Sequence, residues 1–330
     1  MPSPRNISLD LVKAIGMVAI IAGHFSIGVQ FVFSFHVPLF FIVGGYLFRQ
    51  KSMAVEWWTD VKRLLFPYAL TSLAILCWDS MYAIHSKDYS VIRERIVEII
   101  LGGGTSQEYI LLGGYGQIGA IWFLLALMVC RLVYNGLNQI LTRNVLSGAC
   151  LGLSIGAILV YKYIGALPWD ILQGVSALVF YDIGRRIKDS GGFESIPLWG
   201  GIILTGVWIA ACMATMMSIC SCRYDCYPLN IVGAVGATWA FWKVCNMFSR
   251  IDTKVVGAMA WFGRNSLAVL CLHLFDLETG IIHKIQHWTI DLHYHNDYAH
   301  VSLQILIICG LIYGWDIIKI KYKTTICKNS

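Results

Sequence analysis

The chain has 330 residues, 57% of them hydrophobic and 13% charged, with a formal net charge of +6. Soluble domains carry about 25% charged residues, so this composition, with a mean hydropathy of +0.65, excludes an ordinary soluble fold. It predicts an all-α, polytopic membrane protein made of a single domain over residues 1–330. The positive balance does not point to nucleic acid, because no basic patch interleaves with exposed aromatics and Lys and Arg gather in alternate loops.

About 20 apolar residues are needed to cross a bilayer as a helix. That rule predicts about ten spans, near 8–28, 33–50, 63–84, 117–138, 145–164, 168–186, 197–217, 229–248, 257–280 and 299–319. One set of loops holds Arg5, Arg49, Lys51, Lys62, Arg63, Arg143, Arg185, Arg186, Lys188, Lys243, Arg250, Lys254 and the tail lysines. The positive-inside rule then places both termini in the cytoplasm. The first apolar stretch is long and lacks a small-residue cleavage pattern, so it is expected to stay as an anchor.

The first two spans carry Asp10, Lys13, His24 and His36. Ionisable groups in hydrocarbon are costly and mark function by default. Lys13 and His24 are eleven residues apart, which returns to within about 20° of the same helix face and about 16 Å further along. Asp10 lies one turn before Lys13 on that face. After a turn near Gly28, His36 descends from the same side to about the depth of His24. Two imidazoles then reach one reacting group, and histidine is suited to general-base work near neutral pH. The structural alternatives are an interhelical histidine pair and a simple Asp10–Lys13 salt bridge, with Lys13 snorkelling to the interface.

Further along, KSMAVEWWTDVK (51–62) is too polar to span and reads as an interfacial segment with Trp57 and Trp58. In the connection 86–116, YSVIRERIVEII has helical spacing and the Gly-rich remainder is expected to form a loop over the site. Those glycines lack the lysine and preceding strand of a phosphate-binding loop. Arg131 lies inside the fourth span, at the level of a donor's phosphates or of a structural acidic partner, and Trp122 is either a belt residue or a substrate platform. Most of the eleven cysteines fall in apolar spans and act as small hydrophobes. Cys220, Cys222 and Cys226 cluster in a loop whose spacing suits a disulfide or free thiols better than zinc. His273, in the ninth span, is level with His24, while Asp276 and Glu278 reach the external mouth. The segment with His283, His287, His293, His295 and His300 is expected to contact an acceptor, and no metal is expected.

The basic residue, ten residues and histidine of the first span, followed by His36-Val37-Pro38-Leu39-Phe40-Phe41, resemble the membrane-bound acyltransferase 3 family. Lys13 stands where the family usually has arginine, as in its D-x-x-K branch. Ile121-Trp122-Phe123-Leu124 and Gly263-Arg264-Asn265-Ser266-Leu267, running to His273, agree with it. The resemblance implies an inner-membrane O-acyltransferase that moves an acetyl group from cytoplasmic acetyl-coenzyme A to a hydroxyl of an extracytoplasmic or lipid-linked glycan. On this reading Lys13, Arg131 and Asn265 hold the donor, His24, His36 and Asp10 form the catalytic group, and Trp122 and His273 meet the acceptor. An acyl-histidine intermediate is a second route. The rival reading is a transporter or flippase for a small polar solute or glycan intermediate, since intramembrane charges also mark transport pathways.

Overall fold

The computed structural model describes residues 6–110, 112–282 and 297–329. His283, His287, His293 and His295 lie outside the described residues. Helix α1 (Ile7–His24) starts at Asn6, whose side chain accepts the Leu9 N–H at 3.2 Å, a cap that satisfies one orphan donor of the first turn. It is the pillar of the fold, packed on the second, eighth and ninth spans of the chain and buried along most of its length. The chain then reverses through Ser26 and Gly28, at φ of 59° and 60°. Glycine enters that left-handed region without a Cβ penalty.

The second span is broken into α2 (Val29–Phe33) and α3 (His36–Tyr46). Pro38 sits in the first turn of α3, where a missing N–H costs nothing. Helix α4 (Met53–Asp60) passes through one π turn (Val61–Leu65) into α5 (Phe66–Ser86). It exposes Trp57 and Trp58 and buries Glu56 and Asp60. The stretch with helical spacing forms α6 (Ser90–Leu101), and the Gly-rich stretch after it folds partly into a hairpin, β1 (Gln107–Tyr109) against β2 (Gly113–Tyr115). Helices α7 (Trp122–Ile140), α8 (Arg143–Tyr163), α9 (Ile171–Ser176), α10 (Leu178–Asp189) and α11 (Leu198–Ala214) follow. A second short hairpin, β3 (Met217–Ser218) with β4 (Arg223–Tyr224), leads to α12 (Tyr227–Phe248). Helices α13 (Lys254–Arg264) and α14 (Ser266–Thr279) meet at a 72° bend, and α15 (Asp297–Asn329) closes the described chain.

The protein is therefore all-α with many membrane-length helices, as the composition requires. Among the described residues, seven helices are long and apolar enough to cross, or eight with the bent α13–α14 pair. The count of about ten is not confirmed. The span expected at 168–186 is the broken pair α9–α10, whose second half is charged, and that at 197–217 is the 17-residue α11.

Glycines set the closest helix contacts. A Cβ on Gly45 would overlap the Tyr181 carbonyl, and one on Gly184 the Ile42 carbonyl, so α3 and α10 meet backbone to backbone. Gly236 does the same against Leu204, and Gly263 against the backbone oxygen of Asp10. Between membrane helices, where lipid is as apolar as the side chains, such close packing is a main source of association.

Arg131 is not free. Its guanidinium bonds Glu56 and lies 2.8 Å from Asp60, while Lys51 reaches Glu56 at 2.9 Å. Both carboxylates are 1% exposed. Removing one partner of such a set strands buried charge, so Arg131→Gln is expected to cost about 3–5 kcal/mol of stability. Thermal unfolding in detergent micelles would show this, and a selective rise in donor KM with unchanged melting would restore the phosphate role.

Candidate active site

His24 is the last residue of α1, just before the reversal at Ser26 and Gly28, and His36 is the first of α3. The short α2 between them folds the chain back so that both side chains line one cavity of about 330 Å³. Trp122 at the start of α7, Gly104 and Thr105, and the 217–220 hairpin complete the wall around them. Small-ligand pockets run about 300–1,000 Å³, so this space suits the reacting ends of two substrates rather than a whole nucleotide.

The His36 ring is pinned. Its Nδ1 lies 2.7 Å from the Val32 carbonyl oxygen, which can only accept, so Nδ1 carries the hydrogen and Nε2 keeps its lone pair. Phe33 packs edge-on against the ring at 4.9 Å. His36 thus offers an acceptor to a hydroxyl or to another N–H. His24 is exposed and lines the cavity.

Glu278 lines the same cavity and lies 2.9 Å from Arg95, which also meets Asp79 at 2.7 Å and Glu98 at 3.1 Å. Three carboxylates around one guanidinium leave this edge negative. Burial raises the Glu98 carboxyl above its ordinary value, and Arg95 opposes the shift. Across the cavity, burial holds the Cys220 thiol well above its ordinary range. It stays protonated and serves as wall rather than nucleophile. Cys220, Cys222 and Cys226 carry free thiols. A Cβ on Gly104 would overlap the Trp122 indole and the Cys220 sulfur, so the loop backbone itself is pressed onto the cavity wall.

The other predicted site residues are placed elsewhere. Asp10 pairs with Lys13 at 3.5 Å, about 21 Å along the helix from His24 at 1.5 Å per residue. It does not join the histidines. Asn265, at the α13–α14 bend, donates one amide N–H to the Trp261 carbonyl at 2.9 Å and does not line the cavity of His24 and His36. His273 is fully buried behind His24, ring centroids 5.3 Å apart, and is not part of the cavity wall. His300 packs on Phe25 at 4.5 Å.

A family model described as an acyltransferase domain matches residues 6–318, nearly the whole chain. The chain belongs to the acyltransferase 3 family. No curated protein and no solved structure matches it. Membership fits the way α1 and α3 bring their histidines to one cavity, and makes the protein a multi-pass membrane acyltransferase. Residues that the sequence reading missed include Gln304, a lone amide in the apolar last span. A polar group at such a position is itself a signal of function or of a buried partner.

Proposed function

We propose that the protein is an inner-membrane O-acyltransferase. It takes an acetyl group from acetyl-coenzyme A on the cytoplasmic side and delivers it to a hydroxyl of an extracytoplasmic or lipid-linked glycan. The observation that carries this reading is the shared cavity of His24 and His36, with Nε2 of His36 held as an acceptor. His24 takes the proton of the acceptor hydroxyl as its oxygen attacks the thioester carbonyl. The tetrahedral species then collapses, the carbon–sulfur bond breaks and the proton passes from His24 to the leaving thiolate. Nε2 of His36 accepts a hydrogen bond from a neighbouring hydroxyl of the acceptor and so orients the one that reacts. Lys13, at the other end of α1, faces the anionic part of the donor, although it lacks the bidentate fork of arginine.

Support comes from the family, from the separation of cation and imidazole along one helix, and from the negative, carboxylate-rich edge around Glu278, which suits sugar hydroxyls. The purified protein in lipid nanodiscs, given radiolabelled acetyl-coenzyme A and a membrane glycolipid extract, is expected to move label into the lipid fraction. Glycan mass spectra from cells with and without the gene identify the acceptor by the mass lost. A protein that binds glycolipid but moves no label would be a transporter or an assembly subunit instead.

A further inference from the structure

Behind His24 lies a buried polar chain that takes no part in the cavity wall. Gln304 of α15 donates its Nε2–H to Asp276 Oδ2 at 2.5 Å, and Asp276 Oδ1 accepts the Ile282 N–H at 2.7 Å. As a carboxylate Asp276 accepts at both oxygens, which turns the NH2 of the Gln304 amide toward it. Its Oε1 faces His273 Nδ1 at 2.9 Å. An amide oxygen only accepts, so Nδ1 of His273 carries the hydrogen and Nε2 is left with a lone pair. That Nε2 has no hydrogen-bond partner among the described residues. His273 and Gln304 are fully buried and Asp276 is 6% exposed. An unsatisfied acceptor at such depth calls for an explanation, and the His24 ring is 5.3 Å away, centroid to centroid.

We infer that His273, held by Gln304 and Asp276, is a positioning residue for His24. His24 turns to donate one ring N–H to Nε2 of His273, which leaves its other nitrogen bare and directed into the cavity. When His24 gains a proton, the polarised chain ending at Asp276 stabilises the imidazolium without itself changing protonation. This inference rests on the reading of His24 as the base. A carboxylate hydrogen-bonded to the histidine base is a general device of acyl transfer, and here an amide and a second imidazole stand between carboxylate and base.

Asp276→Asn tests the chain with almost no change of shape. Oδ1 stays on the Ile282 N–H, so the new amide presents N–H to Gln304. Gln304 turns over, and its Nε2–H then faces Nδ1 of His273. His273 must carry its hydrogen on Nε2, and His24 loses its acceptor. The full chain in nanodiscs, with ¹⁵N-labelled histidine and His273→Phe to assign the signal, is expected to show Nδ1 protonated in the wild type and Nε2 protonated in Asp276→Asn. Thioester cleavage of acetyl-coenzyme A in the presence of membrane glycolipid extract is expected to fall in kcat by about 10- to 100-fold, the usual cost of losing an orienting partner, with KM unchanged.

Gln304→Glu, which can share a proton with Asp276 and still present an oxygen to His273, keeps kcat within a few-fold of wild type. A wild-type His273 protonated at Nε2 overturns the inference. So does unchanged kcat in an Asp276→Asn protein whose tautomer has inverted. Failure of the wild type to cleave acetyl-coenzyme A counts against the proposed donor alone, because the tautomer readout still decides the chain.

Discussion

His24→Ala is expected to lower acyl transfer by about 10²- to 10⁴-fold, the range for loss of a positioned general base, with little change in donor KM. His24 sits at the end of α1 and is exposed to the cavity, so truncation leaves the helix pillar intact. Melting of the variant in detergent should stay close to wild type, since changes at positions away from packed features shift stability within about 0.5 kcal/mol. His36→Ala should lose less, because His36 contributes an acceptor for a neighbouring hydroxyl of the acceptor rather than the base itself. Retention of more than a tenth of the transfer rate by a folded His24→Ala protein would exclude His24 as the base.

Gly45→Val should have the largest effect on stability. Its new side chain meets the carbonyl of Tyr181, which belongs to the backbone of α10 and has no rotamer to adopt. The two helices must separate, and with Gly184 seated against Ile42 from the other side the whole contact is lost together. Overpacking costs about 1–3 kcal/mol where side chains can yield, and more where they cannot. We expect a lower melting temperature and loss of a single peak on size exclusion. Gly206→Val, on α11 with open space around its Cα, is the control and should leave both unchanged. Equal melting of the two variants would mean that α3 and α10 tolerate separation.

The pairing of His24 with His36 could be read from the sequence because it depends on local geometry alone: helix periodicity and a turn set both depth and side. The Asp10–Lys13 pair was legible for the same reason, being one turn apart. Arg131 was not. Its partners Glu56 and Asp60 lie on a segment whose tryptophans and lysines mark it as interfacial, and nothing in a linear pattern says that its acidic face turns inward. The amide of Gln304 escaped notice because its meaning depends on Asp276 and His273, contributed by a different helix. The 72° bend at Asn265 was hidden by an apolar run long enough to be straight. The stretch at 168–186 was expected to be one continuous span because hydropathy averages over the break between α9 and α10.

One bent pair of helices, α13 and α14, grips the pillar at both ends. Gly263, next to the bend, rests on the backbone of Asp10, and His273, two turns beyond the bend, rests beside His24. Lys13 and His24 sit on one unbroken helix, so the interval between them is fixed at about 16 Å by the helical rise, and the elbow holds α1 in place at both ends of that interval. On the proposed function the pair is a fixed gauge: a donor that bridges cation and imidazole would be measured for length before any bond is made or broken.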